Sequence, residues 1–362
     1  MNTSWLRRLQ AGWRAPLNQR RWQIFKANRR AWWSLWLFLG LFGITLMAEL
    51  IAHERPLVVR YEGQLYWPLW QQYDETTFGG DLPFPADYRD PFLQQNIAAG
   101  DGWMLWPLIP FHHATINYQL TQPAPTPPSR ENWLGTDDQG RDVLARVIYS
   151  LRLSILFALL LTLGSSVIGV LIGAMQGYYG GRLDLWGQRL IEIWSGLPTL
   201  FVLIILASLI TPGFWWLLGI LLLFSWPALV DLVRAECLKA RNLEYVRAAR
   251  ALGLSNTRLL LRHVLPNALV ATLTFLPFLF TGAVTTLTAL DFLGFGLPPG
   301  TPSLGELVAQ GKNNLQAPWL GITAFMTLAI LLTLLVFIGE GVRDAFDPRK
   351  AFTPSTEKTP SS

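Results

Sequence analysis

Residues 153–175 read LSILFALLLTLGSSVIGVLIGAM, twenty-three positions without one charged side chain. About 20 apolar residues are enough for a helix to cross roughly 30 Å of hydrocarbon. In lipid such a stretch satisfies its own backbone groups only as a helix. Five further segments share this character, at 33–52, 191–210, 214–233, 269–290 and 319–338. Across all 362 residues 51% are hydrophobic and 15% charged, where a soluble chain carries about 25% charge. Seventeen tryptophans and twenty phenylalanines suit a chain with many headgroup-level positions. The single cysteine, Cys237, excludes an internal disulfide framework and a cysteine-rich metal site. The sequence therefore predicts an all-α polytopic membrane protein with six transmembrane helices. The first, 33–52, is longer than the apolar core of about 7–15 residues in a signal peptide and reads as retained.

Cytoplasmic loops keep an excess of lysine and arginine. With residues 1–32 inside, the inside segments hold 21 of the 29 basic residues: 8 in 1–32, 2 in 178–190, 7 in 234–268 and 4 in 341–362. The outer segments 53–152 and 291–318 hold 7 and 1. Both termini are thus expected in the cytoplasm. The organisation follows: a basic segment (1–32), a first span (33–52), a periplasmic insert (53–152), a core (153–340) with a cytoplasmic loop at 234–268, and a tail (341–362). Residues 20–30, RRWQIFKANRR, abut the first span, and their cationic and aromatic residues suit a helix on an anionic lipid leaflet. The net charge of +5 then needs no nucleic acid partner.

Within the insert, 57–67 alternates as short strands do, with Tyr61-Glu-Gly-Gln64 as a hairpin turn. Pro123, Pro125, Pro127 and Pro128 make a stiff connector, and 143–151 reads as an amphipathic helix leading into the second span. Trp67, Trp70, Trp103 and Trp106 are candidate anchors for docking outside the membrane. No phosphate-binding Gly-x-x-x-x-Gly-Lys-Ser/Thr loop occurs, and the four histidines lack metal-ligand spacing. These absences point away from an enzyme, a metal site or a bound cofactor. Asp291 sits near a span boundary, where a proton relay and an interfacial position are both open.

Pro198, Pro227 and Pro277 each remove a helix donor and kink their helices unless they fall in boundary turns. Thr274, Thr281, Thr285 and Thr288 share one helical face, which either bonds a neighbouring helix or lines a translocation path. In the cytoplasmic loop, EYVRAARAL (244–252) predicts a short helix with Ala248, Ala249 and Leu252 on a smooth face. Gly253 ends it in the left-handed conformation, and Ser255 caps a second helix, 256–263, before Pro266. Small side chains let a partner approach closely, so this is either a rigid docking knob or a basic helix pair resting on lipid.

At these residues the chain resembles the permease subunits of ATP-binding-cassette importers, in their dipeptide and oligopeptide branch. Ala248-Ala249-x-x-x-Gly253 followed by His263-Val-Leu-Pro266 matches the loop by which such permeases dock on their ATPase. The family often has glutamate at Arg247, so a salt bridge there does not carry over. LGTDDQGRD (134–142), GYYGG (177–181), DFLGFG (291–296) with PSLG (302–305), and RDAFDPR (343–349) resemble the same branch. The long insert is similar to that of the Yej-type permeases, linked to oligopeptide and microcin C uptake. The resemblance implies a bacterial inner-membrane permease core paired with a second, homologous permease. ATPase subunits binding ATP and magnesium would dock inside, and a periplasmic peptide-binding protein outside. The chain itself would be non-catalytic. A stand-alone ion-coupled carrier using Asp291, or a membrane receptor or scaffold, are the alternatives.

Overall fold

The computed structural model describes residues 16–210 and 213–347. Residues 1–15 of the basic segment and the tail beyond 347, with the last two positions of the 343–349 motif, lie outside the described residues. The chain divides into two compact units, one of residues 1–39, 157–285 and 330–362, the other of 40–156 and 286–329.

Helices α1 (Pro16–Ala27) and α2 (Arg29–Leu46) open the chain, followed by the single turn α3 (Ala48–Ile51). Next come β1 (Val58–Tyr61), β2 (Gln64–Tyr66), α4 (Pro91–Ala99) and β3 (Trp103–Leu105). The long helix α5 (Val143–Tyr179) leads into α6 (Gly181–Ser195), α7 (Thr199–Leu209), α8 (Phe214–Ser225) and α9 (Pro227–Ala240). Helices α10 (Glu244–Ala251) and α11 (Asn256–Leu259), a π-turn (Leu260–Val264), α12 (Leu265–Phe292), α13 (Leu304–Asn313) and α14 (Pro318–Phe346) complete it.

Among the described residues, four helices are long and apolar enough to cross a membrane: 143–179, 214–240, 256–292 and 318–346. The bent pair Gly181–Ser195 and Thr199–Leu206 counts as a fifth if its two helices are one broken span, and is otherwise a re-entrant loop. Six segments are expected from sequence, and the differences have local causes. The segment expected at 191–210 is broken by 64° where Pro198 forms the N-cap of α7, a position at which its missing N–H is no loss. Pro227 likewise starts α9. Pro277, by contrast, sits inside α12. The segment expected at 33–52 begins with Arg29 and Arg30 and ends at Leu46, with α3 separate.

In the unit that holds α5 beyond residue 156, three glycines of α5 draw backbones together. A Cβ at Gly169, Gly173 or Gly177 would come within 2.8, 2.7 and 2.5 Å of the carbonyl oxygens of Trp226, Val230 and Arg234. Gly164 faces Leu222. This is small-residue packing, the means by which helices approach closely in lipid. The guanidinium of Arg234 pairs with Asp184, its Nη2 at 2.8 Å from Oδ2. Near the chain start Phe25 and Ala31 pack on Ala345, and Lys26 lies over the rings of Trp22 and Trp32.

The other unit holds the insert. Its hairpin forms as expected: Tyr61 pairs with Gln64, and Glu62 and Gly63 both take positive φ, 48° and 77°, the requirement of a type I′ turn. The third strand gives a sheet ordered β2-β1-β3. Val59 is opposite both Tyr66 and Met104, and this face covers a core of Phe78, Tyr88, Leu93 and Ile97.

The LGTDDQGRD stretch is tied down by buried charge. Asp137 accepts from Arg141 Nε at 2.7 Å and lies 3.4 Å from Arg146 Nε. Arg146 Nη2 reaches Glu306 of α13 at 2.7 Å, and Arg141 Nη2 reaches it at 3.3 Å. Asp142 caps α5 by accepting from Ala145 N, and its other oxygen accepts from Asn132. Trp319 donates to the Thr136 carbonyl.

Nearby, the rings of His112 and His113 lie tilted at 4.0 Å and both meet the Tyr149 ring edge-on. Burial, then the charges of His112, Arg146 and Arg141, pushes the His113 imidazole down to about 3 from 6.5. The unfolded chain therefore binds the extra proton first, so stability is full above about pH 6.5 and falls as pH drops toward 3. The thermal midpoint of the purified protein should fall between pH 7 and pH 5, and His113→Gln should flatten that fall. An unchanged slope in the variant would contradict it.

Candidate functional site

The loop between α9 and α12 is a compact projection with a buried root. Val246 of α10, Leu259, Val264 and Ala268 join Ala174, Tyr178, Leu229, Val233 and Cys237 in one core. Ala249 and Leu254 pack against it half-buried. Such packing fixes the loop to α5 and α9, so the tip is carried by the helices rather than by a tether.

At the tip Leu252 is the C-cap of α10, and Gly253 takes φ +83°. Gly253 N donates to Arg250 O and Leu254 N to Ala249 O, the two bonds of a Schellman motif. A Cβ on Gly253 would meet nothing within 4 Å. The glycine is thus required by backbone sign and not by crowding within this chain. Leu252 is 81% exposed, and Ala248, Ala251 and Gly253 are exposed beside it. The tip is a small apolar patch, bordered by the exposed Arg247, Arg250 and Arg258.

The smooth face expected to hold Ala248, Ala249 and Leu252 is therefore divided. Ala248 and Leu252 point outward, while Ala249 faces the root, because the helix turns about 100° per residue and Val246 already commits one face to the core. Ser255 occupies the cap position of α11 but makes no side-chain cap bond. The second helix does not stop before Pro266 either. A π-turn, Leu260–Val264, leads directly into α12, and such a wide turn accommodates a proline ring. Half-buried His263 gives its carbonyl to Tyr245 Oη at 3.1 Å and to Asn267 Nδ2 at 3.4 Å. Pro266 is exposed in the first turn of α12.

Sequence reading missed the residues that hold this projection to α5. Tyr178 Oη and Asn256 Oδ1 are 3.0 Å apart. Arg241 Nη1 donates to the carbonyls of Gly177 and Tyr178, a cation satisfying the end of a helix. Gly177-Tyr-Tyr-Gly-Gly181 signals a helix end, yet only the tertiary fold shows which arginine closes it.

The other candidates stand as follows. Thr274, Thr281 and Thr285 donate to carbonyls of their own helix, those of Ala271, Pro277 and Thr281, and Thr288 is buried. Trp67, Trp70 and Trp103 are exposed and Trp106 is half-buried. The sheet explains Trp103: it is opposite Arg60, on the face away from the core that Val59 and Met104 cover. Asp291 accepts from Leu297 N at 2.8 Å and from Ser303 Oγ. Its carboxylate organises the 291–305 turn. No cluster of three or more histidine, cysteine or carboxylate side chains that could hold a metal occurs among the described residues.

The described residues thus hold helices of membrane-spanning length and a loop whose root is buried and whose tip is exposed and apolar. Residues 169–352 match the family described as binding-protein-dependent transport system inner membrane component, and the chain belongs to that family. Over 337 residues, 93% of this chain and 98% of the relative, it is 62% identical to the inner membrane ABC transporter permease protein YejE of Escherichia coli (strain K12). It is 55% identical over 364 residues, 94% of this chain and 95% of the relative, to the peptidoglycan transport system permease protein YejE of Agrobacterium fabrum. The oligopeptide transport system permease protein OppC of Lactococcus lactis subsp. lactis is 35% identical over 60% of this chain and 76% of its own length. The chain is thus an ABC transporter permease, a transport component whose relatives are inner membrane permeases.

Proposed function

We propose that this chain forms half of the membrane path of an ATP-driven peptide importer. The observation that carries the reading is the tip Ala248–Gly253, apolar at its exposed end and rooted in the core of α5 and α9. An ATPase subunit holding ATP and magnesium docks there from the cytoplasm, with both termini of this chain on the same side. A second, homologous permease completes the path. The insert faces a peptide-binding protein outside. Substrates are peptides, consistent with the oligopeptide and peptidoglycan transport named for its relatives, with peptide antibiotics such as microcin C within the same chemistry.

Mechanism follows from stiffness. Closure of the ATPases displaces the projection as a rigid body. The break at Pro198 and the junction at Pro227 then let helix segments rotate, which turns the displacement into alternate access. No bond is made or broken by this chain. Asp291 is engaged by Ser303 and Leu297, which speaks against a carrier that shuttles protons on it.

The deciding experiment purifies the assembly, identifies the co-purifying subunits and measures ATP hydrolysis after reconstitution with the binding protein. Peptide should stimulate hydrolysis, and a cysteine at Ala248 should cross-link to the ATPase. An assembly without an ATPase, or import that survives its loss, would overturn the reading.

A further inference from the structure

The insert contains a cleft that the transport reading leaves without a role. It encloses about 1270 Å³, more than the roughly 300–1,000 Å³ of a small-molecule pocket. A peptide of six residues, about 20 Å when extended, is a more suitable occupant. Pro85, Pro107, Trp106 and Trp133 contribute apolar and aromatic wall.

One charged group in this wall is left without an ion pair. The Arg89 guanidinium lies 4.0 Å from the centroid of the Phe111 ring and forms no ion pair among the described residues. Burial lowers its pKa even though Asp87, Glu54 and Glu131 act to raise it. A guanidinium stacked on a ring is held flat and keeps its N–H edge for a planar carboxylate. Those same acids make the cleft hostile to a polyanion and favourable to a ligand that also carries an amine.

We propose that this cleft binds short extended peptides, with the free C-terminal carboxylate on Arg89. The proposal rests on the peptide-import reading and on the orientation that places the insert outside.

The test uses the intact membrane assembly in lipid nanodiscs without the binding protein, titrated calorimetrically. The probe is a hexapeptide of alternating alanine and glycine, as free acid and as C-terminal amide. The acid should bind about tenfold tighter than the amide, the value of one charge-assisted contact. Arg89→Gln should bring the acid down to the amide's affinity. Equal binding of acid and amide, or no binding to the wild type, would overturn the proposal. So would an Arg89→Gln assembly that binds peptide normally but loses affinity for the binding protein, which makes the cleft a protein-docking surface. If the wild type also shows no peptide-stimulated ATP hydrolysis, the import reading itself fails. Normal stimulation with no effect at Arg89 rejects the cleft alone.

Discussion

Gly253→Asp should abolish peptide import while the protein still reaches the membrane. Two separate costs are combined in this substitution, and Gly253→Ala separates them. Both variants must hold a side chain at φ +83°, which costs about 1 kcal/mol outside glycine. That is small against the core of Val246, Leu259, Val264 and Ala268 beneath it, so both should insert and keep α10. No atom lies within 4 Å of the added Cβ, so alanine adds strain and little else within the chain. Aspartate adds a charge at the centre of the apolar tip formed with Leu252 and Ala248. A charge desolvated at the centre of an interface costs about 2 kcal/mol or more, roughly 30-fold in docking affinity. Import and ATPase co-purification should therefore drop sharply for aspartate and mildly for alanine. A Gly253→Asp assembly that imports at the normal rate would show that the tip is not the point of grip.

The membrane class was legible in the sequence because a charge-free stretch such as 153–175 has one physical solution in lipid. The hairpin at 61–64 was legible for a comparable local reason, since the alternation and Gly63 already dictate the turn. What escaped reading depends on partners far apart in the chain. The glycines at 169, 173 and 177 are regularly spaced, yet nothing local says that the carbonyls of Trp226, Val230 and Arg234 lie against them. The direction of Ala249 was missed because a short helix of alanines and arginines carries little pattern. Only Val246 in the core sets its rotation. Pro198 reads as a kink or a boundary turn, and it falls at the boundary before α7, where the flanking segments differ by 64°. The candidate site was thus readable in its end signals, Gly253 above all, but not in the contacts of Arg241 and Tyr178 that hold it.

Asp137→Ala should give the largest loss of stability of any single change in the other unit. Asp137 and Arg146 are fully buried and Arg141 nearly so. The Asp137 carboxylate also accepts from the backbone N–H groups of Gln139 and Arg141, so its removal strips three donors of their acceptor and Arg146 of an ion-pair partner. Glu306, partly exposed, would then face two guanidinium groups alone. Removing one partner of a buried charge network costs about 3–5 kcal/mol, chiefly because the remaining charges stay desolvated. The thermal midpoint should fall by roughly 10 °C, with protease cleavage appearing near 134–142. Replacing charge with apolar volume tests the cause. Asp137→Leu combined with Arg141→Met and Arg146→Met should recover much of the loss, because a packed apolar cluster avoids the desolvation cost. ATPase co-purification should persist in Asp137→Ala, since Asp137 and the Ala248–Gly253 tip belong to different compact units. If the midpoint of Asp137→Ala is unchanged, the buried charges are not what holds this stretch to α13.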